Sequence, residues 1–405
     1  MHHLLALCAA LLLLCITPSL QAQQRPGLAV AIDVHHVAAD TWRVDYRFSQ
    51  PVTAIKFDVL DDYRLRSWKL LTPGLRLATQ TDTDLISAGG KPFRHASVEI
   101  TTFDGVPQKG YEPFNRFSDG GRTFFLGHLQ GDALIGEQAF VMAADIRLKG
   151  LPNENVVAPN LHKQIPGGPR GYAYFGPAKA VRAGTARFII DPKTPSWAND
   201  TIVAVGAKTA LYYEQAYQRK LQDELVVMVS MAGFDTPGIS IKGGAVMGQL
   251  SYRMDGKQML GDHPKKRELL ARMVAHEMAH LWQMEIKRGG IQENAAWIHE
   301  GGAEAMALDA VLQTGIMSKD SVASYRAEKH AACARLGYAV DAYDGIYACG
   351  LYRFDQLGVD IVPLWRTMIQ TTEAKGELYS QQMIDTIAAS QRATPAASRP
   401  GGASQ

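Results

Sequence analysis

His276-Glu277-Met278-Ala279-His280 places two imidazoles four residues apart, with a carboxylate beside the first. On a helix, residues at that spacing lie one above the other, so both rings can reach one metal ion. Glu277 points too far around the helix to be a third ligand. It falls beside an open coordination position, where a carboxylate can take a proton from a bound water. Zinc suits such a donor set and lowers the pKa of coordinated water to about 7. A catalytic zinc also needs a third protein ligand, and Trp297-Ile298-His299-Glu300-Gly301-Gly302-Ala303-Glu304 offers Glu300. Glu304, one turn further on the same face, is placed to accept a hydrogen bond from the second nitrogen of a liganding histidine. His299 points elsewhere and reads as a surface or supporting residue. Glycine in a helix costs about 1 kcal/mol, so Gly301 and Gly302 are best explained if this segment approaches the metal helix closely. The pattern implies one Zn2+ per chain on His276, His280 and Glu300, with Glu277 as general base.

These residues need helices to present them. Pro264 in a first turn, with Asp262 before it as N-cap, starts the metal helix, and the chain beyond it is mainly helical. Upstream, residues 200 to about 224 read as a helix with Tyr212, Ala216 and Leu221 on one face. LVVMVSM (225–231) reads as a strand, and ISIKGGAVMGQLSYRM (239–254) as an extended, glycine-punctuated segment. Residues 28–190 are different again. LAVAIDV (28–34), TWRVDYRF (41–48), AIKFDVL (54–60), ASVEITTF (96–103), RTFFLGHL (122–129), AFVMAADIRL (139–148) and ARFII (186–190) are short, rich in β-branched and aromatic residues, and separated by turn signals. The expected fold class is multidomain: a β-rich, sandwich-like N-terminal domain, then an α+β, mainly helical domain carrying the metal. The expected boundaries are 1–22 signal peptide, 23–190 β domain, 191–199 linker, 200–389 metal-bearing domain and 390–405 disordered tail.

The 405 residues are enough for two or three domains, with 46% hydrophobic and 20% charged residues. Lys and Arg total 42 against 40 Asp and Glu, for a formal charge of +2. That balance argues against a nucleic-acid partner, and Lys265-Lys266-Arg267 reads as a solvated helix start. Leu4 to Ile16 is an apolar run of 13 residues, too short to span a bilayer but of signal-peptide length, with cleavage expected after Ala22. Export to the periplasm or the extracellular space follows, with no membrane insertion after cleavage. Cys8 and Cys15 would leave with the signal, and in an oxidising compartment Cys333 and Cys349 are expected to pair; two separate buried thiols are the alternative.

HExxHxW followed by W-x-x-E-G, here His276 to Trp282 and Trp297 to Gly301, resembles the gluzincin zinc metallopeptidases of the alanyl and glycyl aminopeptidase families. The motifs cover about residues 200–385; upstream the likeness is one of general architecture. The resemblance implies a thermolysin-like catalytic domain and peptide or protein substrates. It also implies a transition-state tyrosine in a Y-x-x-G segment, which matches Tyr347-Ala348-Cys349-Gly350, with Tyr343 and Tyr352 as nearby rivals. It further implies a substrate-binding edge strand at Gly244, Ala245, Val246 and Met247, to which an extended peptide could add by main-chain hydrogen bonds. Two departures stand out. The gap between His280 and Glu300 is 19 residues, one more than usual in the alanyl branch. Val246-Met247-Gly248 also lacks the glutamate with which aminopeptidases hold a substrate amine.

Two functions follow from these residues. One is zinc-dependent hydrolysis of peptide bonds, in exo- or endo- mode. The other is a non-catalytic exported binding or assembly protein on a zinc-stapled fold, against which the retention of Glu277 argues.

Overall fold

A computed structural model describes residues 26–105, 111–158, 161, 171–246, 248–284 and 295–393. The expected signal peptide and most of the expected tail lie outside the described residues. The tail expectation is corrected at its start, because the last helix, Gln381–Ala393, runs past residue 390.

The N-terminal half is β-rich, as its alternating sequence requires. A nine-stranded sheet has the long strands Gly27–Ala38 and Gln138–Lys149 side by side in parallel at its middle, and its other pairings are antiparallel. In Gly27–Ala38 the buried positions Leu28, Val30, Ile32 and Val34 fall on one face, the period of two that a half-buried strand demands. A four-stranded sheet contributes Phe114, Phe124, Ala173 and Phe175 to the same core. Trp42, wholly buried, lies between the layers with Phe114 and Phe124 at 5.0 and 5.6 Å between ring centroids.

The domain boundary falls earlier than expected. Val181–Ala183 and Ala186–Ile190 belong to the five-stranded sheet of the second half, where Ala186–Ile190 pairs in parallel with Leu225–Gly233. The reason is hydrophobic: Phe188 packs into the core of the second half, on the same side as Leu225, Val227 and Val229. The expected linker is also shorter, because the next helix starts at Ser196 and ends at Tyr217, where Gln218 turns left-handed. Its buried face carries Ile202, Val205, Thr209 and Tyr213 rather than Tyr212, Ala216 and Leu221. Asp191, at the junction, accepts hydrogen bonds from the backbone N–H groups of Ser118, Lys193 and Met231 at 2.7, 2.9 and 3.1 Å, so one carboxylate joins both halves.

The five-stranded sheet ends in the hairpin Ser240–Val246 and Gln249–Asp255, with Ser240–Val246 at the edge. Gln249 ties this hairpin to the β domain by exchanging two 2.8 Å hydrogen bonds with the backbone of Tyr172. An apolar cluster of Phe117, Phe125, Tyr172 and Tyr174 against Ile189, Val226, Met228 and Val246 seals the same contact. Helices Ser196–Tyr217, Pro264–Met284, Ala296–Gln313, Lys319–Arg335, Tyr343–Gln356, Ile361–Lys375 and Gln381–Ala393 make up the rest. No helix among the described residues is long and apolar enough to cross a membrane.

Candidate metal centre

Pro264–Met284 carries the first two expected ligands. Its start differs in detail from expectation: Asp262 grips Arg267 at 2.7 and 2.8 Å instead of capping, and His263 Nδ1 accepts from the backbone N–H of Lys265 at 3.2 Å. The buried face of the helix includes Leu270, Val274, Met278, Leu281 and Trp282, which fixes the opposing direction of His276 and His280. Both histidines are nonetheless buried, because Ala296–Gln313 crosses over them.

Three ligand atoms converge. His276 Nε2 lies 3.2 Å from His280 Nε2 and 3.1 Å from Glu300 Oε2, and His280 Nε2 lies 3.3 Å from the same oxygen. Two imidazole nitrogens and one carboxylate oxygen are the donor set of an open zinc site, and their mutual spacing leaves room for one ion between them. The electrostatics agree. Burial works against charge on His276, but the carboxylates of Glu300 and Glu304 outweigh it and raise its pKa to about 10. Burial opposes charge on Glu300 too, yet hydrogen bonds from His276 and His280 hold it well below the usual carboxylate range. The carboxylates of Glu300 and Glu304 thus favour a positive charge at this point, as a divalent cation would supply.

A supporting layer fixes these side chains. Glu304 Oε2 sits 3.6 Å from His276 Nδ1, and Tyr325 donates to its other oxygen at 2.7 Å. Burial raises the pKa of Glu304, but His276 and Tyr325 overcome it and bring it down to about 2. His280 Nδ1 is 2.7 Å from Gln283 Oε1, while Gln283 donates to the His299 carbonyl at 3.1 Å. Gln283 therefore orients His280 as Glu304 orients His276. Sequence reasoning missed Gln283 and Tyr325. The one-turn spacing from His280 to Gln283 was an available signal; Tyr325 comes from a different helix and had none. His299 is a supporting residue, its ring stacked on His280 at 4.1 Å, and burial followed by the field of His280 lowers its pKa to about 3.

Glu277 leaves the ligand cluster and reaches the sheet edge, where its Oε2 accepts a 3.0 Å hydrogen bond from the backbone N–H of Ala245. This contact explains Gly244: a β-carbon there would lie 2.5 Å from the same oxygen. Of the expected substrate-binding residues, Gly244 and Ala245 face Glu277. Val246 does not; its side chain is buried in the contact between the two halves, because the alternation of the strand turns it to the far face. Met247 lies outside the described residues.

The glycines after Glu300 have a different partner from the one expected. A β-carbon on Gly301 would lie 2.4 Å from the backbone of Gly350, and one on Gly302 would lie 2.3 Å from Trp365. They admit the helix Tyr343–Gln356 and the indole of Trp365, not the helix Pro264–Met284. That approach brings Tyr347 to the centre, its ring 5.8 Å from His276. Burial, the nearby Glu300 and Tyr343 all raise the Tyr347 pKa, so its phenol keeps its proton. Tyr343 is 76% exposed, and Tyr352 packs instead on His330 and Tyr338, both at 5.2 Å. The expected Cys333–Cys349 disulfide is present and fully buried, joining Lys319–Arg335 to the tyrosine helix.

The fold has known counterparts. An aminopeptidase N family protein from Idiomarina loihiensis matches with a TM-score of 0.58 at 11% identity, covering 86% of this chain and 71% of that one. A mutant M1 zinc metallopeptidase from Deinococcus radiodurans, bound to a Tyr-Ser-Ala substrate, matches with a TM-score of 0.50 at 12% identity, covering 91% and 90%. No protein-family model and no curated protein matches the sequence. The chain has the gluzincin, aminopeptidase-like fold of the M1 zinc metallopeptidases, a β-rich N-terminal domain followed by a helical one.

Proposed function

We propose that this protein is a zinc-dependent peptidase, exported from the cell. The observation that carries the reading is the juxtaposition of His276, His280 and Glu300 around one point with Glu277 anchored to an exposed strand edge. When bound at that point, zinc supplies Lewis acidity toward a substrate carbonyl and toward water. Ser240–Val246 would hold an extended peptide through main-chain hydrogen bonds. Glu277 would take a proton from the attacking water and return it to the leaving amine, a role for which a carboxylate beside the ligands is placed. Tyr347 would donate its phenolic proton in a hydrogen bond to the developing oxyanion, a contribution of about 3 kcal/mol for such donors. The buried disulfide and the apolar leader support export. No carboxylate lies in Ser240–Val246 to hold a substrate amine, so the mode of cleavage is read from the cuts themselves. Incubation with a diverse peptide mixture, followed by mass spectrometry, should give products that disappear with a zinc chelator. An unchanged mixture at full zinc loading would contradict the proposal, and the positions of the cuts assign exo- or endo- mode.

A further inference from the structure

Tyr347 borders a second space besides the metal centre. A cavity of about 290 Å³ lies between the end of Lys319–Arg335 and the start of Tyr343–Gln356, lined by Lys329, Arg335, Leu336, Asp344 and Tyr347. We infer that this cavity is a subsite for a substrate carboxylate, either an acidic side chain next to the cleaved bond or the free C-terminus of a short peptide. The inference rests on the peptidase reading above.

The charge balance carries it. Two cations and one acid line the space, and neither Lys329 nor Arg335 forms an ion pair with a carboxylate among the described residues. Lys329 is half-buried and poised. Its Nζ lies 5.3 Å from the centre of the Tyr325 ring, whose hydroxyl binds Glu304 behind the metal ligand His276. Lys329 is therefore linked to His276 through Tyr325 and Glu304, and the cavity shares Tyr347 with the metal centre. The walls are also preformed. Ala332 and Ala348 line the cavity beside Cys333 and Cys349, so the disulfide welds its two walls together. A site whose walls are held before binding loses less freedom when an anion arrives. Asp344, exposed and lining the same cavity, leaves two cations against one acid, a net charge of +1 that matches a single carboxylate.

Quenched fluorescent peptides in matched sets test this, with Glu or Gln beside the cleaved bond and a free or amidated C-terminus. The wild type should favour one carboxylate-bearing set by about tenfold in kcat/KM, the size of one charge-assisted hydrogen bond. The set that shows the preference identifies the source of the carboxylate. Lys329→Gln and Arg335→Gln should each reduce the ratio, and the double variant should bring it close to one. A wild-type ratio near one, or a ratio unchanged in the double variant, overturns the subsite. Binding of the same peptides to zinc-loaded Glu277→Gln protein, read by calorimetry, separates this from the hydrolytic reading. A carboxylate preference in Kd upholds the subsite even if no peptide is cleaved, and its absence there rejects it.

Discussion

Gly244→Ala is the smallest change that separates folding from chemistry in this site. The glycine has no left-handed backbone requirement, so alanine fits the strand. What the new methyl meets is the carboxylate of Glu277, at 2.5 Å from Oε2, 3.0 Å from Cδ and 3.3 Å from Oε1. Ordinary carbon contacts begin near 3.5 Å, so the carboxylate must retreat by about 1 Å and give up its 3.0 Å hydrogen bond from Ala245. A carboxylate at the end of a flexible side chain moves at little cost in stability, on the order of 1 kcal/mol for the lost bond. The chemical cost is larger. Misplacing a reacting group by about 1 Å costs on the order of a hundredfold, and loss of general-base catalysis up to about ten-thousandfold. We expect a hundredfold or greater fall in kcat for a cleaved peptide, a melting temperature within a few degrees of wild type, and an unchanged zinc content. Full kcat at full zinc loading would refute the placement of Glu277. Loss of zinc or gross destabilisation would refute the separation of base from fold.

Other predictions follow from the supporting elements. Gly301→Ala drives a methyl to 2.4 Å from the Gly350 backbone, which cannot rotate away. Overpacking of about 1–3 kcal/mol should exceed the roughly 1 kcal/mol gain in helix propensity, giving a lower urea midpoint and reduced kcat as the Tyr347 helix is displaced. A midpoint at or above wild type would contradict the close approach. Replacing Cys333 and Cys349 by Ala opens a loop of sequence separation 16 and should cost about 3 kcal/mol in denaturant unfolding, whereas equal stability would deny the bond a role. Burial, then the positive field of Arg64, lowers the His128 pKa to about 3. Between that value and the unfolded value near 6.5, the unfolded chain holds a proton that the folded one lacks. This group therefore makes stability fall as pH falls through that window, by up to about 1.4 kcal/mol per unit. His128→Phe should flatten the urea-measured dependence between pH 7 and pH 5, and an unaltered dependence would refute the assignment.

The candidate metal-binding residues were legible in the sequence because their geometry is local. His276, Glu277 and His280 sit within two turns of one helix, so spacing alone sets their directions, and Glu304 follows from Glu300 by the same rule. The strands of the β domain were legible from alternation, as in Gly27–Ala38. What failed depended on partners distant in the chain. Nothing in ARFII tells which sheet it joins, and its pairing with Leu225–Gly233 appears only once Phe188 has chosen a core. Gly301 and Gly302 signalled a close approach, but their neighbours Gly350 and Trp365 are brought in by tertiary packing. Val246 lies on the expected edge strand, but the direction of its side chain depends on the strand register, which turns it into the contact between the two halves.

If Glu277 works as a base beside a metal held by His276, His280 and Glu300, its amide should keep the metal and lose the chemistry. Glu277→Gln tests it most directly, with zinc measured by elemental analysis and peptide cleavage by mass spectrometry on the same sample. One zinc per chain, as in wild type, and cleavage reduced by a factor of at least about a hundred are expected. Cleavage at the wild-type rate by the zinc-loaded variant would contradict it.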